Sequence, residues 1–161
     1  MDILIEEYKD TDLKDMITVW NEVVEDGVAF PQDEPLTEQT GAAFFEKQDF
    51  VGVARYDGNV VGLYILHPNN VGRCGHHANA SYAVRKNMRG LKIGEKLVGH
   101  SLKKAKELHY KLLIFNAVVK GNDSAIHLYK KLGFTKVGEI PQGFLLKNGV
   151  FQDIIIFYHE L

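Results

Sequence analysis

Along this chain, short runs with apolar and polar residues in alternation are interleaved with longer stretches whose apolar positions recur every three or four residues. The first pattern belongs to strands and the second to helices. Residues 2–8 open with a strand, Ile3 and Ile5 sharing one side. Leu13, Ile17, Trp20 and Val24 then keep helical spacing through roughly Glu25, with Thr11 or Asp12 available as the cap. Ala29 to Pro35 holds two prolines and is loop, and a second short helix covers Thr37 to Lys47. Val51–Tyr56 and Val60–Leu66 flank Asp57-Gly58-Asn59, an Asp-Gly turn between β-rich runs that predicts a hairpin. Beyond the loop Pro68 to Gly75, Ala78–Val84 reads as another strand. A long helix runs from about Lys92 to His109 with Ile93, Leu97, Ala105 and Leu108 facing inward. Leu112–Val119 is a buried strand, Asp123–Leu132 a helix capped by Asn122, and Thr135–Ile140 and Gln152–His159 are two closing strands.

The predicted order is strand, two helices, three strands, helix, strand, helix, two strands. Hairpins and crossovers therefore share one mixed α/β sheet, which excludes a doubly wound nucleotide fold. No repeat, low-complexity tract or Pro/Gly-rich linker divides the 161 residues, so a single domain over 1–161 is expected. That length is enough to bury a proper core.

Composition adds exclusions. Apolar residues are 45% of the chain and charged residues 25%, an ordinary globular balance, and the formal net charge is −2. Nothing there draws the protein to nucleic acid or to an anionic membrane, so neither is expected as a partner. Cys74 is the only cysteine, so no intrachain disulfide can form and a reducing, cytoplasmic location is expected. Met1 to Glu7 does not read as a leader peptide, and no apolar stretch is long enough to span a bilayer.

The chemistry concentrates in Val84-Arg85-Lys86-Asn87-Met88-Arg89-Gly90-Leu91-Lys92-Ile93-Gly94-Glu95, a strand end, a basic Gly-containing loop and the start of the long helix. Unpaired N–H groups and the positive end of the helix dipole favour an anion there. Arg85, Lys86, Arg89 and Lys92 add positive charge, and a pyrophosphate suits the geometry. An ordinary turn with a solvated basic loop is the plainer alternative. One strand later, Asn122 to Phe134 is a capped helix with a glycine stop. Leu128 and Leu132 are explained by packing. Tyr129 could be core as well, but its hydroxyl would still need a partner.

These two elements resemble the GNAT superfamily of N-acetyltransferases, over essentially the whole chain. The family pattern is Arg/Gln-x-x-Gly-x-Gly/Ala at the coenzyme A pyrophosphate loop, then Asn-x-x-Ala-x-x-x-Tyr-x-x-x-Gly-Phe. Asn122, Ala125, Tyr129, Gly133 and Phe134 match the second at every marked position. In the first, Arg89 and Gly94 match but Lys92 stands where the middle glycine is expected. A lysine in a first helical turn keeps its N–H, so anion binding can survive. The resemblance implies a mostly antiparallel twisted sheet of about six to seven strands with a parallel, splayed central pair and about four flanking helices. It implies acetyl-CoA as co-substrate, held by Val84, Arg89, Gly90, Leu91, Lys92, Ile93, Gly94, Glu95 and Asn122, and no metal. Tyr129 falls where the family keeps its general acid.

Many relatives carry a glutamate base five residues ahead of the position of Val84, and here that residue is Asn79. An amide cannot take up a proton at neutral pH, so Asn79 is expected to orient substrate or water instead. A smaller group, the proline-analogue acetyltransferases of yeasts, is similar at Asn79-Ala80, Phe115-Asn116 and Asp153 to Phe157. By that likeness Asn116 is a second polar contact to the acceptor. Trp20 and Phe30 are core or line the acceptor mouth, while Phe44 and Phe45 are core.

Cys74-Gly75-His76-His77 lacks the second cysteine that a zinc site would draw on. His76 and His77 read as exposed loop residues, with a catalytic base as the alternative. His127 and the Lys103-Lys104-Ala105-Lys106 run read as surface. The leading expectation is an acetyltransferase for a small amine, such as an amino acid or an analogue. The alternatives are acetylation of a protein N-terminus or lysine, and an acyl-CoA-binding sensor without catalysis. A homodimer is compatible with each.

Overall fold

A computed structural model describes residues 1–161. The alternating runs become seven strands: β1 (Leu4–Glu7), β2 (Phe50–Tyr56), β3 (Asn59–Pro68), β4 (His77–Val84), β5 (Leu112–Val119), β6 (Thr135–Leu145) and β7 (Phe151–Glu160). They form one sheet in the order β1-β2-β3-β4-β5-β7-β6. Every neighbouring pair is antiparallel except β4–β5, which is parallel. Four helices cover the faces: α1 (Leu13–Asp26), α2 (Glu38–Glu46), α3 (Ile93–Glu107) and α4 (Asp123–Lys131). This is the mixed α/β architecture expected from the sequence.

The two faces bury different halves of the pattern. On one, Met16, Val19 and Trp20 of α1 and Phe45 of α2 pack on Val51, Val53, Leu63, Ile65 and Ala83. On the other, Ile93, Leu97, Val98 and Ala105 of α3 pack on Ala54, Tyr64, Leu66, Ala78, Ala80 and Phe115. With both faces covered, β2 and β3 are nearly continuous buried runs. In β4, Ala78 and Ala80 face α3 whereas Ala83 faces α1. Because side chains alternate along a strand, Asn79 lies on the α1–α2 face.

Several boundaries depart from expectation for identifiable reasons. Asp12 precedes α1 but does not cap it. Its carboxylate accepts from the Lys9 N–H at 2.8 Å and takes the two Arg55 N–H groups at 2.8 and 2.5 Å. Thr37 does cap α2, accepting from the Thr40 N–H at 3.1 Å. α3 ends at Glu107, and Leu108, expected inside, is 38% exposed. The chain turns there because His109 takes a left-handed conformation (φ +69°) and the Tyr110 N–H bonds back to the Ala105 carbonyl. β6 runs five residues beyond its expected end, to Leu145, with register shifts that absorb Pro141. As an edge strand it tolerates a residue without an N–H.

Candidate active site

The central pair β4–β5 is paired only at its beginning, His77 with Leu112 and Ala78 with Leu113. Beyond that the strands part, and a cleft of about 770 Å³ opens between them, lined from both strands, the β4–α3 loop, α4 and the loop after α1. The Arg85 N–H bonds to the Val61 carbonyl on β3. Since successive residues in an antiparallel ladder point opposite ways, the Val84 N–H is aimed across the split. It is available there to an oxyanion.

At the β4–α3 turn, Gly90 and Lys92 both adopt positive φ, +82° and +62°. Lys92 is therefore the residue before α3, in the left-handed region, not the first-turn residue expected. Its own conformation is one that glycine adopts freely. The opening N–H groups of α3, from Ile93, Gly94 and Glu95, have no earlier helical carbonyl to bond and face the cleft. Alternating left-handed and ordinary residues make such a turn an anion-binding concavity.

The basic cluster is not all aimed at that point. Arg89 donates to Asp26 Oδ2 at 2.9 Å and lies 3.4 Å from the Val84 carbonyl. Lys86 also approaches Asp26, at 3.5 Å, and Arg85 donates to the Val60 carbonyl at 3.0 Å. Burial alone would raise the Asp26 carboxyl, but its bond to Arg89 and the charges of Arg89 and Lys86 hold it below the ordinary carboxylate range. Glu95 is paired with Lys131 at 3.0 Å. Lys92 alone of the four cations forms no ion pair and is exposed beside the open helix end.

Across the cleft, Asn122 caps α4, accepting from the Ala125 N–H at 3.4 Å. That cap fixes the helix so that Tyr129 reaches the cleft wall, its ring against Phe115 at 4.5 Å and Phe134 at 5.5 Å. The buried Tyr64 and the half-buried Tyr82 have partners: Tyr64 with His100 Nδ1 at 2.8 Å, and Tyr82 with Ser101 Oγ at 2.7 Å. The Tyr129 hydroxyl has none in the protein, yet it is not sealed from solvent-accessible space. Burial of its ring among apolar neighbours pushes the phenol above its ordinary value, so it is protonated at neutral pH.

On the α1–α2 side, Asn79, Asn116 and Phe30 line the cleft, Phe30 buried and its ring tilted against the fully buried Trp20 at 4.3 Å. Asn79 donates to the Ile114 carbonyl at 2.7 Å. Asn116 exchanges two bonds with the amide of Asn69, at 2.7 and 3.2 Å. None of the seven histidines borders the cleft. His76 is exposed, and His77 opens β4 at the far end. A backbone tie, from the Lys147 N–H to the Gly27 carbonyl at 3.2 Å, joins the end of α1 to the β6–β7 turn. Gly27 is left-handed (φ +65°), and a Cβ there would sit 2.5 Å from the Lys147 Cβ, so only glycine allows the approach.

Of the residues singled out in the sequence, Tyr129, Asn79, Asn116, Phe30, Val84, Arg89, Gly90, Lys92, Ile93, Gly94, Glu95 and Asn122 border this one cleft. Leu91 does not: its side chain is exposed and points away. Sequence reading missed Asn69, Leu146 and Gln152. Asn69 and Leu146 lie in loops with no motif. The Gln152 carbonyl oxygen Oε1 accepts from the Gly121 N–H at 3.1 Å, a contact between segments distant in sequence.

An acetyltransferase (GNAT) family model matches residues 14–134, three quarters of the chain and both motifs, and the chain belongs to that family. Among individual relatives, N-acetyltransferase aca1 of Schizosaccharomyces pombe is 32% identical over 103 residues, 63% of this chain and 49% of that protein. The match thus spans about half the length of that curated relative. A ribosomal-protein-alanine N-acetyltransferase from Brucella melitensis superposes with a TM-score of 0.91 at 25% identity, over 98% of this chain and 99% of that one. A phosphinothricin acetyltransferase from Sinorhizobium meliloti, solved with acetyl-CoA, superposes with a TM-score of 0.92 at 22% identity, over 100% and 89%. No helix of the chain is long and apolar enough to cross a membrane.

Proposed function

We propose that this chain is an acetyl-CoA-dependent N-acetyltransferase whose acceptor is the amine of a small molecule, such as an amino acid or an analogue of one. A single domain over residues 1–161 carries the reaction. The observation that carries the reading is Tyr129, a protonated phenol without a protein partner, in the cleft wall opposite the open N-terminus of α3. In this reading the coenzyme pyrophosphate lies on the Gly90–Glu95 turn, with Lys92 supplying charge. The Val84 N–H receives the thioester oxygen.

The neutral amine adds its lone pair to the carbonyl carbon. The C–S bond then breaks and the sulfur leaves with the electron pair. Tyr129 gives that sulfur its proton and recovers one from solvent. The amine's surplus proton leaves through water, because the cleft carboxylates Asp26 and Glu95 are already ion-paired. Asn79 uses its N–H₂ on the Ile114 carbonyl, which leaves its Oδ1 to accept from the incoming amine.

The tie between Gly27 and Lys147 joins the two walls at the α1–α2 end, beside Phe30 and Leu146. An acceptor that enters beneath this tie is small, which favours a metabolite over a folded protein surface. The exposed Cys74 suits a reducing, cytoplasmic setting.

The experiment is thiol release from acetyl-CoA over a panel of amines and amino acids, with purified protein. Turnover with at least one small amine is expected. Tight acetyl-CoA binding without turnover on any acceptor would leave a sensor. Because no histidine borders the cleft, kcat/KM should rise with pH until the acceptor amine is neutral, and that limb should move with the amine's own pKa. A limb fixed near pH 6.5 for every acceptor would point to a histidine instead.

A further inference from the structure

Where β4 and β5 separate, a side chain takes the place of the main chain as hydrogen-bond donor. The Leu161 N–H bonds to the Lys111 carbonyl, so along β5 the Ile114 carbonyl alternates to face β4. In an unbroken parallel ladder its next donor would be the main-chain N–H of Ala80. Pairing stops at Ala78 and Leu113, so that bond is absent. The Ile114 carbonyl would be orphaned at the apex of the split, and an unpaired inward carbonyl is costly. The Asn79 side chain donates to it at 2.7 Å instead. The main chain of Asn79 cannot do so. Like Arg85, which bonds Val61, it points its N–H and carbonyl at β3.

We propose that Asn79 is a positioning residue that pins the apex of the split: its amide N–H replaces the lost ladder bond, fixing where the strands part and where the cleft begins. This deepens the reading of the cleft as an acyl-transfer site and rests on it only for its catalytic consequence. It also explains why an amide stands where the family resemblance expects a glutamate. An ionised carboxylate has no proton to donate to Ile114.

Asn79→Asp, nearly isosteric, tests the pin because a carboxyl donates only when protonated. The titratable groups near the position are His67, its cross-strand partner on β3, and His77 on the same face of β4; β5 offers Ile114 and Asn116, which do not titrate. What these histidines contribute to wild type cancels in the comparison, and repeating it in a His67→Gln/His77→Gln background removes their charge from the new carboxylate. At pH 8 the Asp variant should melt roughly 3–8 °C below wild type. Its Ala78 and Ile114 amides should exchange at least about tenfold faster, since they form the last ladder bonds. As pH falls to 4, about the ordinary pKa of an aspartic acid, and the carboxyl begins to protonate, both gaps should narrow, and relative kcat should recover while the acetyl-CoA Kd changes little. Asn79→Ala should show gaps of similar size at every pH. A carboxylate acting as a base predicts the opposite, activity of the Asp variant relative to wild type rising with pH. Melting and exchange need no catalysis, so they test the pin even if acetyl transfer is absent. An Asp variant as stable and as protected as wild type at pH 8, or one whose gaps ignore pH, overturns the proposal. If the Asp variant does not fold at pH 8, folding on acidification supports the pin and failure to fold at pH 4, where wild type is folded, overturns it, with Asn79→Ala exchange as the independent measure.

Discussion

Tyr129 and Lys92 show how much of the site depends on single residues. Tyr129 is held by Phe115, Phe134 and Phe157, so its ring contributes packing whatever its hydroxyl does. Tyr129→Phe keeps the ring and removes only the proton. Turnover should fall on the order of 10²-fold with acetyl-CoA affinity almost unchanged, measured by steady-state rates beside calorimetric binding. Equal turnover would return the residue to the core. Lys92 holds φ +62° with a side chain that disfavours it, a cost of roughly 1–2 kcal/mol, partly offset by the entropy a glycine would lose on folding. Lys92→Gly should therefore raise the melting temperature by about 1–3 °C. It should also weaken acetyl-CoA binding by roughly two- to fivefold, as one unpaired cation leaves the turn. A lower melting temperature would mean that the lysine makes contacts that outweigh its strain.

At the scale of elements, the donor site is the start of α3 facing the side of α4. Gly94 sits where they meet, and a Cβ added to it would find only Leu128 Cδ2, at 3.9 Å. Gly94→Asp should thus fold with a melting temperature within a few degrees of wild type. It should lose at least about tenfold in acetyl-CoA affinity, because the new charge opposes the pyrophosphate at the helix N-terminus. Thermal shift with and without acetyl-CoA reads both effects. Arg89 borders the cleft, and its guanidinium is engaged by Asp26 of α1. That contact joins elements 63 residues apart in sequence, and no local pattern encodes it.

For the whole molecule, Arg55 ties the edge strand β1 and the start of α1 to the centre of the sheet. It bonds Glu6 at 2.6 Å and both oxygens of Asp12. The bond to Arg55, outweighing the effect of burial, holds the Asp12 carboxyl below its ordinary 3.8. A carboxyl lowered on folding stabilises fully above its unfolded pKa and loses that contribution as pH falls through the folded value. Asp12→Asn should destabilise by about 2–3 kcal/mol at pH 7, since it leaves Arg55 half-paired in a half-buried position. The difference should shrink from about pH 4 downward and vanish once wild-type Asp12 is protonated. Denaturant melts at pH 7, 4 and 2.5 measure it, and a gap that persists at the lowest pH would assign the loss to packing.

The sequence by itself determined the elements, their order and the two motifs, because periodicity, caps and turn glycines are local properties of the chain. The Asp57-Gly58 hairpin, the Asn122 cap and the glycine stop before Phe134 each act within a few residues. Tertiary structure alone decided where β4 and β5 part, that Asn79 reaches the Ile114 carbonyl, that Asn69 holds Asn116, and that Gly27 and Lys147 tie the end of α1 to the β6–β7 turn. It also turned Asp12 from a helix cap into the partner of Arg55 and left Leu108 outside. Each of these is a bond or contact between segments that only the folded sheet brings together. Hydrogen bonds depend on direction over a few tenths of an ångström, and the spacing of residues along a chain carries no such information.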